Sequence, residues 1–116
     1  MDAIGKMLHK RRVKLVVTQE KRVAEDLDGR TQPGSGNQWN AKGDVSAREI
    51  LVECKSTVNA SISVKVDVLE KIEREAALAV KEPILQIEFQ GKRRIQKYAV
   101  ISWDRLLQLL EAEKGR

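Results

Sequence analysis

The sequence predicts an α/β domain, or its α+β variant, built on a central mixed β-sheet flanked by helices. Period-two apolar alternation recurs beyond residue 48, and apolar residues at helical spacing mark three other segments. The two patterns interleave along the chain, which calls for helices packed on a sheet. The length, 116 residues, points to one domain spanning 1–116. Apolar residues are 41% and charged residues 34%, too apolar and too mixed in sign for a disordered chain.

The first helix lies ahead of Gly29. Thr18 can cap it, Val23, Ala24 and Leu27 share one side, and Gly29 stops it. Its start is open, because Val13, Leu15, Val16 and Val17 fit helix or strand; residues 1–12 form a candidate flexible basic arm. Asp28–Gly43 holds four of the seven glycines and Pro33, so it reads as loop. Connections this long in compact domains tend to be functional or disordered. Arg48–Ser56 reads as a strand, with Ile50, Val52 and Cys54 on one face and Leu51, Glu53 and Lys55 on the other. Ser61–Val66 alternates again through Ile62, Val64 and Val66 and reads as a second strand, carrying Lys65. Val68–Val80 reads as a helix with Leu69, Ile72, Ala76 and Ala79 in a stripe, ended by Pro83. Ile84–Phe89 and Arg94–Ser102 read as strands joined by a hairpin-like turn at Gln90-Gly91-Lys92. Ser102 then caps a last helix. Its Leu106, Leu107, Leu109 and Leu110 exceed one narrow stripe and serve either a dimer contact or the monomer core.

Net charge is +5 with a pI near 9.5, which favours an anionic partner, most commonly nucleic acid. The aromatics are Trp39, Phe89, Tyr98 and Trp103. Once the core has taken its share, too few remain for a base-stacking platform, so a surface that tracks a duplex backbone is expected. Cys54 is the only cysteine, which excludes an intramolecular disulfide and suits a reducing cytosol. The longest uninterrupted apolar run is Ala76–Val80, and Met1–Arg12 lacks the apolar stretch of a signal peptide; no membrane contact and a cytoplasmic location are expected.

The chemistry concentrates around Glu53-Cys54-Lys55. Strand geometry sets Glu53 and Lys55 on one face and turns Cys54 away. If Asp44–Ala47 is an adjacent strand turning back through Arg48-Glu49, Asp44 lands near Glu53. Two carboxylates can hold a hard divalent cation, which polarises a phosphodiester and ionises water; the lysine orients that water or stabilises developing charge. A lone acid-x-lysine triplet is ordinarily a solvent-facing pair on an edge strand. The Asp44 partner and the glycine-rich loop upstream are what favour a site.

Basic residues cluster at Lys10, Arg11, Arg12 and Lys14 with Lys21 and Arg22 nearby, at Arg30 and Lys42 flanking the glycine loop, and at Lys92, Arg93, Arg94 and Lys97 on the later hairpin. They suit phosphate contact without sequence readout. The alternatives are a solvated arm for the first run and edge protection for the last. His9 has no histidine or cysteine partners for zinc, Trp39 serves DNA, a subunit partner or its own core, and Trp103 reads as core.

In order and spacing, these elements resemble the PD-(D/E)XK nucleases, in the branch of archaeal and phage Holliday-junction resolvases. The matching pieces are Glu20 in QEKRVAEDLDG, Ser35-Gly36 in RTQPGSGN, Lys42-Gly43-Asp44-Val45, and Glu53-Cys54-Lys55 followed by Ser56-Thr57. They span roughly residues 18–57, and Gly43 stands where the family usually has proline. The resemblance implies a restriction-endonuclease-like core. It implies Mg2+, replaceable by Mn2+, held by Asp44, Glu53 and the Cys54 backbone carbonyl, with Glu20 completing the acidic site. Glu25 is the rival to Glu20, whose distance to Ser35-Gly36 matches the pattern better. Lys55 would be the catalytic lysine. Ser35 would contact the scissile phosphate or merely form the turn, and Lys10, Arg11, Arg12, Lys14, Arg30, Gly36 and Lys42 would bind DNA. The implied protein is a homodimer that cuts four-way or other branched DNA in recombination, in a bacterial cytoplasm or a phage-infected cell. The competing expectations are the same chemistry on nicks, flaps, mismatches or duplex, and a non-catalytic basic nucleic-acid-binding module.

Overall fold

The computed structural model describes residues 19–32 and 44–115. Within the described residues, helix α1 covers 19–27. After it come β1 (Arg30–Thr31), β2 (Val45–Ala47), β3 (Ile50–Thr57), α2 (Val66–Ala79), β4 (Glu82–Gln90), β5 (Ile95–Val100) and α3 (Trp103–Lys114). The strands lie side by side in chain order as one five-stranded sheet. Each neighbouring pair is antiparallel except β3 with β4. A parallel pair needs a long crossover, and α2 supplies it.

Helix α1 ends by a paired closure. Asp28 enters the left-handed region at φ 52°. The Gly29 N–H then donates to the Ala24 carbonyl at 2.8 Å and the Asp28 N–H to the Glu25 carbonyl at 3.3 Å. Gly29 answers to a different constraint: a Cβ there would lie 2.6 Å from the Ser46 carbonyl oxygen, so glycine lets β2 pass close by.

Both faces of β3 are covered. Val23 and Ala24 of α1 pack on Val45 and Val52, with Leu27, Ile50, Cys54 and Ile84 around them. Alternation sends Leu51 to the opposite face, where it too is buried, as are Ile72 and Ala76 of α2 and Leu85 and Ile87 of β4. A strand buried twice reads as a continuous apolar run, which explains Ile50-Leu51-Val52.

Several expectations are corrected. Ser61–Val66 is not a strand: residues 61–65 are irregular and Val66 opens α2. The edges of β3 are taken by β2 and β4, so an alternating segment there has no strand to pair with. Lys65 accordingly stands at the N-terminal boundary of α2 and is exposed. Pro83 does not end α2, which stops at Ala79 and closes through Val80; Pro83 sits near the start of β4. Trp103 is not core. It is 71% exposed, and α3 buries no residue; Leu69 and Ile72 of α2 with Pro83, Leu85 and Val100 line a pocket that reaches Ser102 at the start of α3. An ion pair from Arg105 Nε to Glu82 Oε2, 3.0 Å, ties the start of α3 to β4. Among the described residues the core therefore takes few of the aromatics: Phe89 is half-buried with its ring edge toward Tyr98, centroids 6.1 Å apart, and Tyr98 is exposed. Among the described residues no helix is long and apolar enough to cross a membrane.

Candidate functional site

Asp44 lies immediately before β2. Its N–H donates to the Val52 carbonyl at 2.9 Å, and its carbonyl accepts from the Gln32 N–H at 2.9 Å. Arg48-Glu49 form the turn that brings β2 back along β3, with Val45 opposite Val52. One step further along β3, the Asp44 side chain replaces the ladder: Oδ2 accepts the Cys54 N–H at 2.7 Å. A hydrogen bond to a carboxylate is short and strong. The N–H and C=O of a strand residue face the same neighbour. The Cys54 carbonyl therefore faces the side from which Asp44 reaches, while the Cys54 side chain packs with the α1 cluster.

Two further acids converge on Asp44. The Glu20 carboxyl, on α1, shares a hydrogen bond with that of Asp44. Its pKa rises from 4.5 to about 7, chiefly by desolvation, then by the charge of Asp44, this hydrogen bond and the charge of Glu53. Glu53 rises likewise to about 7, through desolvation and then the charge of Asp44; Lys71 opposes the rise and Glu75 adds to it. Burial, followed by the charges of Asp44, Glu20, Glu53 and Glu88, pushes the Cys54 thiol up, so it stays protonated. Asp44 is thus the common neighbour. Helix α1 and the Glu53 side chain lie on opposite faces of β3; Asp44 acts on both Glu20 and Glu53, and Glu53 adds a smaller charge effect on Glu20. No group of three or more His, Cys, Asp or Glu among the described residues is placed to hold a metal ion by itself. Mg2+ commonly takes only one or two protein carboxylates and completes its shell with water and phosphate oxygens. The donor set fits such an ion: oxygen ligands, crowded negative charge, and a backbone carbonyl on the same side.

Among the described residues, the ammonium that pairs with Glu53 is that of Lys71 on α2. Its Nζ is 3.7 Å from Glu53 Oε1 and 3.5 Å from Glu75 Oε1. Lys55 shares the Glu53 face by alternation, but its ammonium donates to the Ser63 carbonyl in the β3–α2 connection. Among the described residues it forms no ion pair with a carboxylate.

Helix α1 is pinned beside the site by a buried polar network. Gln19 is fully buried, and its Nε2 donates to the Lys55 carbonyl at 3.1 Å and to Gln86 Oε1 at 2.6 Å. Arg22 pairs with the fully buried Glu88. Arg22 therefore leaves the basic cluster in which its charge first placed it. The sequence reading missed Gln19, Gln86, Glu88, Lys71 and Glu75. One signal was present: Gln86 and Glu88 follow Ile84 on one face of a strand whose other face is apolar, a polar stripe that needs partners.

Of the two acids weighed on α1, Glu20 reaches Asp44 and Glu25 is exposed. Arg30 lies exposed on β1, and Lys92, Arg93, Arg94 and Lys97 lie exposed at the β4–β5 hairpin. Ser35, Gly36, Lys42, Lys10, Arg11, Arg12, Lys14, His9 and Trp39 fall outside the described residues. Comparison with family models, curated proteins and solved structures gives no match to this chain, so its site is read from its own geometry.

Proposed function

We propose that the chain is a Mg2+-dependent structure-selective endodeoxyribonuclease of the PD-(D/E)XK type, with a restriction-endonuclease-like core, acting as a homodimer on four-way DNA junctions. One observation carries the reading: Asp44, ten residues before Cys54, bonds its backbone and is the shared neighbour of Glu20 and Glu53. Three acids crowded in a basic protein are costly unless a cation offsets them. Asp44, Glu53 and the Cys54 carbonyl would hold the ion. When bound, it would polarise the phosphodiester and lower the pKa of a water. Lys55, released from the Ser63 carbonyl, would orient the attacking water or meet the charge developing on phosphate. Glu20, with a pKa about 7, would accept or return a proton at neutral pH. Arg30 and the exposed hairpin cations suit contacts to phosphates. A symmetric dimer supplies two sites for two symmetric cuts.

Cleavage of a four-way junction and of a matched linear duplex, each with Mg2+ and with EDTA, tests the reading. Paired symmetric cuts in the junction are expected, with Mg2+ only, and a fall of about a hundredfold to a thousandfold for Asp44→Asn, Glu53→Gln and Lys55→Met. Activity in EDTA, or full activity in Asp44→Asn, overturns the nuclease. Equal cutting of the duplex replaces only the junction preference. Binding without any cleavage and without Mg2+ uptake leaves a basic binding module.

A further inference from the structure

We propose that Lys71 is a resident counter-charge of the acidic site: it neutralises Glu53 in the metal-free protein and withdraws onto Glu75 when a divalent cation arrives. The inference rests on the nuclease reading and adds to it a residue that regulates how tightly the ion is held.

Lys71 Nζ stands between two carboxylates, 3.7 Å from Glu53 and 3.5 Å from Glu75. Glu75 is one helical turn along α2 and nearly buried, so it is a fixed landing place. The Lys71 side chain is 51% exposed, so it can shift between the two without unpacking the core. The lysine of the Glu-x-Lys triplet does not play this part, since its ammonium is occupied by the Ser63 carbonyl. A cation on Glu53 and Asp44 reverses the sign of the interaction on one side. Lys71 is then repelled by the ion, while its attraction to Glu75 persists. Metal and Lys71 therefore compete for Glu53, and Glu75 biases the competition toward the metal.

The two variants predict opposite shifts. Mn2+ binding to the full chain, read from the paramagnetic resonance signal of the free ion, should tighten about fivefold in Lys71→Met. It should weaken severalfold in Glu75→Gln, because Lys71 then has Glu53 alone. Lys71→Arg, which keeps the charge, should stay within about twofold of wild type. Thermal unfolding in EDTA verifies that each variant is folded. Shifts of Lys71→Met and Glu75→Gln in the same direction, or no shift in Lys71→Met while wild type binds Mn2+, overturn this role and leave the nuclease reading standing. Wild-type protein that binds no Mn2+ overturns both.

Discussion

Glu20 and Glu53 tie the stability of the protein to pH in an unusual sense. Both have a pKa near 7 in the fold against 4.5 ordinarily, with desolvation and the Asp44 charge as the main causes. Between about pH 4.5 and 7 the folded chain therefore keeps protons that the unfolded chain has lost. Stability rises with pH only where the unfolded state binds more protons, so here the contribution of these two acids falls as pH rises through that window. The proposed divalent cation would bind the ionised acids and work the other way, so its affinity should climb through the same window and level off above it. Urea unfolding in EDTA should give lower stability at pH 7.5 than at pH 5.5, and Mg2+ should narrow the gap. A metal-free profile that rises across this range contradicts the crowding of charge around Asp44. At this scale the sequence was legible where covalent spacing does the placing. A strand fixes the common face of Glu53 and Lys55, and a two-residue turn fixes Asp44 beside Cys54. It was not legible where a helix brings the partner. Lys71 and Glu75 reach the site only through the docking angle of α2, which no local period encodes.

The elements divide along similar lines. The amphipathic stripe of α2 and the buried run of β3 were readable because burial on a face forces a period. The alternation of Ser61–Val66 misled because a short alternating stretch satisfies the strand pattern without a partner edge, and only topology decides. The end of α2 was placed within one residue, but its breaker was misassigned for a related reason. Its stop is Val80 in the left-handed region, φ 55° and ψ 48°, with its N–H bonded to the Ala77 carbonyl at 3.1 Å and the Lys81 N–H to the Ala76 carbonyl at 2.8 Å. A β-branched residue is a poor occupant of that conformation, so Pro83 was the more visible breaker. The Val80 side chain is 89% exposed and contributes little packing. Val80→Gly should therefore stabilise the protein, by about 1 kcal/mol, since the strain removed exceeds the flexibility added to the unfolded chain. Chemical denaturation of the two proteins measures it; a destabilised variant would mean that the Val80 side chain has a contact that outweighs its backbone strain.

For the whole molecule, the open question in the sequence was whether the last helix closes the core or meets a second copy. The fold answers the first half: α2 packs on β3 and β4, and α3 is left with no buried residue. Trp103, Leu107 and Leu110 follow one another at four and three residues, a single helical stripe, and are 71%, 48% and 53% exposed. The same stripe in two copies can pair about a two-fold axis, which is the arrangement the proposed two-cut reaction would need. The acids lie elsewhere, at the β2–β3 hairpin and α1, so the two properties can be separated by mutation. Leu107→Glu with Leu110→Glu should convert a dimer to a monomer in sedimentation equilibrium while leaving Mn2+ uptake per chain unchanged. On a four-way junction the variant should then cut one strand at a time, the second cut lagging behind the first. A wild-type monomer in solution, or a dimer that survives both charges, would place the subunit contact on another surface and leave the apolar stripe of α3 without this role.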